Sequence, residues 1–134
     1  MDRIALDTTF LIDLQNERRG RGWPHGAAAF LQAHRSTEFF VPVIARGEYL
    51  EGFERPESPQ AREWIDAIRV LEVTVEVALS YASVARHLRA AGQLIGTNDL
   101  WIGCTALNAN LPLATRNVSE FQRIPGLQVL DYGF

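Results

Sequence analysis

Apolar residues along this chain fall into short runs that switch repeatedly between strand-like and helix-like spacing. Arg3 to Leu6 is a compact apolar run ending at Asp7, and Thr9 to Gln15 continues with helical spacing. Asn16 to Pro24, with Arg18, Arg19, Arg21 and two glycines, is a polar loop, and Ala27 to His34 is helical. Phe39 to Val43 predicts a second strand that turns directly into a helix through Phe53. Pro56 and Pro59 interrupt the chain before a helix carrying Trp64, Ile65 and Ile68. Val70 to Val75 alternates as a strand does, and Val77 to Leu94 is a long helix. Thr97 and Asn98 are suitable N-caps for a helix from Asp99 to about Asn108. Leu111 to Thr115 and Leu127 to Leu130 supply the last strands, with Pro125-Gly126 as the turn before the second.

Strands alternating with helices predict an α/β fold with a central parallel sheet of about five strands, flanked by helices on both faces. The 134 residues fit a single domain, 1–134, with enough apolar content to build a core without metal or disulfide. Binding sites in such sheets form beyond the carboxyl ends of strands. Asp7 and the Thr115-Arg116-Asn117 turn both fall there.

Composition narrows the chemistry. Hydrophobic residues make up 47% and charged ones 22%, an ordinary globular balance, and no apolar run has the length of a membrane span. The start of the chain carries no signal-peptide pattern, and Cys104 is the only cysteine, so a cytoplasmic protein is expected. One cysteine also excludes an internal disulfide and argues against a cysteine-built zinc site. The formal charge of −3 and pI near 5.6 give no overall basic field for nucleic acid. All 13 basic residues are Arg. The lack of Lys excludes a P-loop, a Schiff base, a lysine general base and a receiver-like phosphoacceptor, which needs a lysine beside its phosphoryl group.

Carboxylates set inside or beside apolar runs are the remaining signal, because a lone charge there is costly. Asp7 ends the first strand and Asp99 begins a helix, so each also serves as a helix cap. Asp99 shares its face with Gly103, Ala106 and Leu107, a small-residue surface suited to close packing. Glu48 aligns with Ile44, while Glu51 lies nearer the centre of the Val43-Ile44-Gly47-Leu50 stripe, so spacing does not choose between them. Asp13 reads as a solvated surface acid, and Glu120 stays open. Carboxylates brought together by folding would repel, and a divalent cation would relieve that repulsion, as in a magnesium- or manganese-dependent nuclease. Metal-free RNA cleavage would need paired histidines, but His25, His34 and His87 do not share a face. Cys104 reads as small core packing.

Together these phrases resemble the PIN-domain family, specifically the VapC toxins of bacterial toxin–antitoxin pairs, over essentially the whole chain. Leu6-Asp7-Thr8-Thr9-Phe10-Leu11-Ile12-Asp13-Leu14 is similar to that family's first strand, aspartate and helix. Glu48-Tyr49-Leu50-Glu51-Gly52 resembles its glutamate-to-glycine phrase, which selects Glu48. Asn98-Asp99-Leu100-Trp101-Ile102-Gly103 resembles the third acidic motif, and Thr115-Arg116-Asn117-Val118-Ser119-Glu120-Phe121 the fourth segment, followed by Ile124-Pro125-Gly126-Leu127. Many PIN domains carry an aspartate where Asn117 stands; an amide can ligate or position water but adds no charge.

The resemblance implies an endoribonuclease with Mg2+ (or Mn2+) held by Asp7 and Asp99, while Glu48 and Asn117 hold a coordinated water or a second ion. Glu120 is an alternative at the fourth position. It further implies in-line attack by an activated water on an RNA phosphodiester, leaving a 5′-phosphate. Thr9 and Thr115 would orient carboxylates or phosphate. Arg46, Arg116 and the Arg18-Arg19-Arg21 loop are candidates for gripping RNA, with Arg86 and Arg89 as a further rim. The implied partners are a VapB-type antitoxin, through which alone DNA would be contacted, and a second copy in a homodimer, for which Trp64 and Trp101 offer apolar area. A non-catalytic scaffold of the same fold is the rival reading, favoured by Asn117.

Overall fold

Ile4, Ala5 and Leu6 of β1 (Arg3–Leu6) are all buried, although successive strand side chains point to opposite faces. Both faces of the strand are therefore covered, and β4 (Leu113–Thr115) is buried throughout in the same way. The computed structural model, which describes residues 2–133, places these two strands side by side in one five-stranded sheet of order β3-β2-β1-β4-β5. Here β2 is Glu38–Pro42, β3 Arg69–Leu71 and β5 Val129–Asp131, and every pairing is parallel. The chain builds outward from β1 through β2 to β3, then returns to add β4 and β5 on the other side of β1. That reversal opens a crevice at the carboxyl ends of β1 and β4, where Asp7 and Thr115 stand. The parallel α/β architecture expected from the sequence is the one observed.

Helix boundaries depart from expectation where local capping overrides periodicity. α1 (Thr8–Arg18) runs on into the expected polar loop, which begins only at Gly20, with φ of 65°. α2 is Ala27–Ala33, and α3 (Val43–Glu51) follows β2 without a break. The expected helix through Trp64 is instead one turn, α4 (Pro59–Arg62), capped by Ser58, and then a 3-10 turn at Ile65–Ala67. The expected strand from Val70 to Val75 is shorter, because Thr74 caps α5 (Val75–Ala90) by accepting from Val77 N at 3.2 Å. Gly96, not Thr97 or Asn98, caps α6 (Thr97–Asn108). The single turn α7 (Val118–Phe121) links β4 to β5. Among the described residues, no helix is long and apolar enough to cross a membrane.

The core clusters aromatic rings at the start of α1. Phe10 meets Tyr132 edge to face at 4.6 Å between ring centres and Phe30 at 5.8 Å. On the other flank α6 approaches α7 through Gly103, where an added Cβ would lie 2.3 Å from Ile124 Cδ1 and 3.4 Å from Phe121 Cδ1. Ile124 and Phe121 are themselves fully enclosed and have little room to yield. Gly103→Ala is expected to cost about 1–3 kcal/mol in denaturant unfolding, the usual range for overpacking. Pairing it with Ile124→Val, which removes the obstructing methyl, should recover part of the loss; an unchanged unfolding midpoint for Gly103→Ala would show the contact to be loose.

Candidate active site

Asp7 is 3% exposed and does two jobs at once. As N-cap of α1, its Oδ1 accepts from Phe10 N at 2.9 Å. Its Oδ2 accepts from Thr9 Oγ1 at 2.6 Å and from the buried Thr115 Oγ1 at the end of β4. Thr115 Oγ1 in turn accepts from Asn117 N at 2.8 Å, which fixes the start of α7 against the same carboxylate. Burial still pushes the Asp7 pKa up, against the opposing pull of these donors.

Glu48 approaches from α3. The buried face of that helix is Ala45 and Tyr49, not the Val43-Ile44-Gly47-Leu50 stripe read from the sequence; Gly47 and Glu51 are exposed. Glu48 therefore turns inward, accepting from Thr8 Oγ1 at 2.5 Å and Asn98 Nδ2 at 3.0 Å. Thr8 and Asn98 were not singled out as site residues. Asn98 is free for this contact because Gly96 takes the capping position expected for it.

Asp99, in the first turn of α6, is the least satisfied acid. Its pKa is pushed up to about 6, first by burial and then by the charges of Glu48, Glu120 and Asp7; among the described residues no hydrogen-bond donor offsets them. The fold thus sets Asp99 within reach of the negative charges of Asp7, Glu48 and Glu120 at the sheet's carboxyl edge. Asn117 lies at the same edge, half-buried, and its side chain makes no capping bond to α7.

Two of the arginines read as RNA grips, Arg46 and Arg116, are used otherwise. Arg46 binds Ile65 O at 3.1 Å and Asp66, fastening the 3-10 turn to α3. Arg116 forks onto Asp13, Nε to Oδ2 at 2.6 Å and Nη2 to Oδ1 at 3.2 Å. Asp13 is accordingly no surface acid: it is buried and also accepts from Tyr132 OH at 2.6 Å. Its position three residues after Phe10, on the inner face of α1, is the signal that would have revealed this.

All the donors in the cluster are hard oxygens. Among the described residues, no three His, Cys, Asp or Glu side chains form a ready-made chelate. Oxygen donors of this kind suit a hard divalent cation, and magnesium is commonly held by one or two carboxylates with retained waters.

Residues 4–127 match the model of the PIN domain. The chain belongs to the PIN-domain family. Among its relatives, Ribonuclease VapC1 of Haemophilus influenzae (strain R2866) is 45% identical over 67 residues, half of each chain. The chain thus aligns with about half the length of that relative. Ribonuclease VapC1 of Methanocaldococcus jannaschii is 27% identical over 132 residues, covering 96% of this chain and 88% of the relative. Among solved structures, VapBC-1 from nontypeable Haemophilus influenzae is 30% identical with a TM-score of 0.73, covering 97% of this chain and 98% of the other. VapBC2 from Rickettsia felis, bound to a DNA fragment from its promoter, superposes at a TM-score of 0.79 with 22% identity, covering 96% and 97%, and shares the fold.

Proposed function

We propose that this chain is the toxin of a toxin–antitoxin pair and hydrolyses RNA phosphodiesters at the Asp7–Glu48–Asp99 cluster. The observation that carries the reading is Asp99, half-buried at the strand ends, which feels the negative charges of Glu48, Glu120 and Asp7 and has no hydrogen-bond donor among the described residues. Such an arrangement is unfavourable alone and becomes favourable around a divalent cation. Bound there, magnesium or manganese would polarise a phosphoryl oxygen and acidify a coordinated water. Asp7 and Asp99 would hold the ion. Thr9 and Thr115 hold Asp7 in place, so their part is to orient that carboxylate. Glu48, steadied by Thr8 and Asn98, would position the attacking water, with Asn117 supplying a neutral amide at the same strand edge. Water adds to phosphorus and the bond to the 3′ oxygen breaks, leaving a 5′-phosphate and a 3′-hydroxyl. Incubation of the purified chain with cellular RNA, with and without EDTA, tests this. Metal-dependent fragments with 5′-phosphates are expected; intact RNA at millimolar magnesium and manganese would instead favour the scaffold reading.

The relatives described as VapBC assemblies, one of them bound to promoter DNA, support a VapB-type antitoxin as partner; DNA contact only through that antitoxin and a cytoplasmic setting belong to the same proposal. A homodimer is supported by Val75 and Leu79, one turn apart on α5 and 81% and 70% exposed. Trp64 and Trp101, by contrast, are already packed on Tyr49 and Tyr81. Leu79→Glu is therefore expected to shift sedimentation from dimer to monomer at micromolar protein, whereas a wild-type monomer would remove the idea.

A further inference from the structure

An open cleft of about 490 Å3 runs between α1 and the end of α3, with Ile12, Asn16, Arg19, Arg21 and Phe53 along it and Glu48 at its inner end. Glu48 joins it directly to the acidic cluster. Of the arginines described, Arg3, Arg18, Arg46, Arg62, Arg69 and Arg116 each have a carboxylate within salt-bridge distance. Arg19 and Arg21 have none among the described residues, which is also true of Arg35, Arg55, Arg86, Arg89 and Arg123; what sets Arg19 and Arg21 apart is that both line the cleft, Arg19 lying over the Phe53 ring, 5.9 Å from its centre. Two residues beyond Arg21 in the same loop, outside the cleft lining itself, Trp23 is 85% exposed, the largest exposure among the big apolar side chains of the described residues. The loop that carries it is anchored at both ends. Arg21 N donates to Asn16 O at 2.8 Å, and Glu17 accepts from His25 N, Ala27 N and Ala28 N at 2.9–3.0 Å. An indole held in water by a tethered loop, beside two uncommitted guanidinium groups, suits a ligand with flat π-faces and repeated negative charge.

We infer that this cleft seats single-stranded RNA beside the scissile bond, with Arg19 and Arg21 on backbone phosphates and Trp23 stacked on a base. The inference rests on the ribonuclease reading and adds to it the path of the substrate. Arg19 and Arg21 supply charge at the cleft's outer part and hold the strand there without the ion, while only the phosphate nearest Glu48 needs a bound cation. A π-stacking platform tolerates any base, so the cleft selects single-strandedness more than sequence.

The test measures binding without cleavage: anisotropy of a fluorescent RNA 10-mer on the full chain carrying Asp99→Asn, in EDTA, at several salt concentrations. Trp23→Ala is expected to weaken binding by roughly 5- to 100-fold, with Trp23→Phe retaining most of the affinity. Arg19→Ala with Arg21→Ala should flatten the salt dependence by a slope of about 1.4, two phosphates' worth for a single strand. Quenching of indole fluorescence by unlabelled RNA should vanish in Trp23→Phe, because Trp64 and Trp101 are already packed. Unchanged affinity and salt slope in these variants would overturn the inference and leave the cleft to a protein segment. Cleft-dependent binding by a chain that never cleaves RNA would support it while refuting the nuclease reading.

Discussion

Asp99→Asn is expected to lower RNA cleavage on the order of 10³-fold while making the metal-free protein more stable. The first effect follows because the substitution removes a principal charge from the site that must hold a cation against a phosphate. The second follows from the raised pKa of Asp99. Unfolded, the Asp99 carboxyl ionises near 3.8; folded, it holds its proton up to about 6. Between those values the folded state retains a proton that the unfolded state has released. The resulting penalty is absent below 3.8, grows as pH rises, and is complete above about 6. The full shift corresponds to roughly 3 kcal/mol, and solvent screening of this half-buried group reduces it to about 1–2. At pH 7 without metal, Asp99→Asn should therefore unfold at higher temperature than wild type, with the gap closing towards pH 4. Added magnesium or manganese should raise the wild-type midpoint and leave the variant's almost unmoved. A variant that cleaves normally, or one destabilised at pH 7, would mean that the acids are not held in uncompensated repulsion.

Much of this arrangement is legible in the sequence because parallel α/β sheets tie site position to strand ends. Apolar β1 followed by Asp7, and Thr115 closing β4, locate the crevice before any coordinate is known. Glu48 shows where such reasoning fails. Apolar spacing did not choose between Glu48 and Glu51, because α3 buries the small Ala45 with Tyr49, and a phase set by alanine is weak beside a stripe of Val, Ile and Leu. Only the family resemblance singled out Glu48. Polar partnerships across the fold were less legible still. Asn98 with Glu48, and Arg116 with Asp13, join residues 50 and 103 positions apart. A charged residue has the same appearance in a sequence whether water or a guanidinium completes it.

Asp13 carries the largest structural consequence of that blindness. Its carboxylate joins α1 to both strands beyond β1: Arg116 follows β4 and Tyr132 follows β5. Burial, with Asp13 as acceptor, pushes the Tyr132 phenol pKa well up, so its hydroxyl remains a donor throughout the accessible pH range. Asp13→Ala would strand that hydroxyl and leave Arg116 without its fork. Breaking a buried pair costs about 3–5 kcal/mol, and because Arg116 keeps some contact with water the expected loss here is about 2–4. Denaturant unfolding of Asp13→Ala, Arg116→Ala and the double variant should show a coupling well above 0.5 kcal/mol, since removing both partners leaves less unpaired than removing one. The disturbance should also reach the chemistry. Arg116 stands between Thr115, which donates to Asp7, and Asn117, so a loosened turn misplaces a carboxylate that neither substitution touches. Additive stability effects, or full cleavage by folded Asp13→Ala, would show the Arg116–Asp13 contact to be incidental to both.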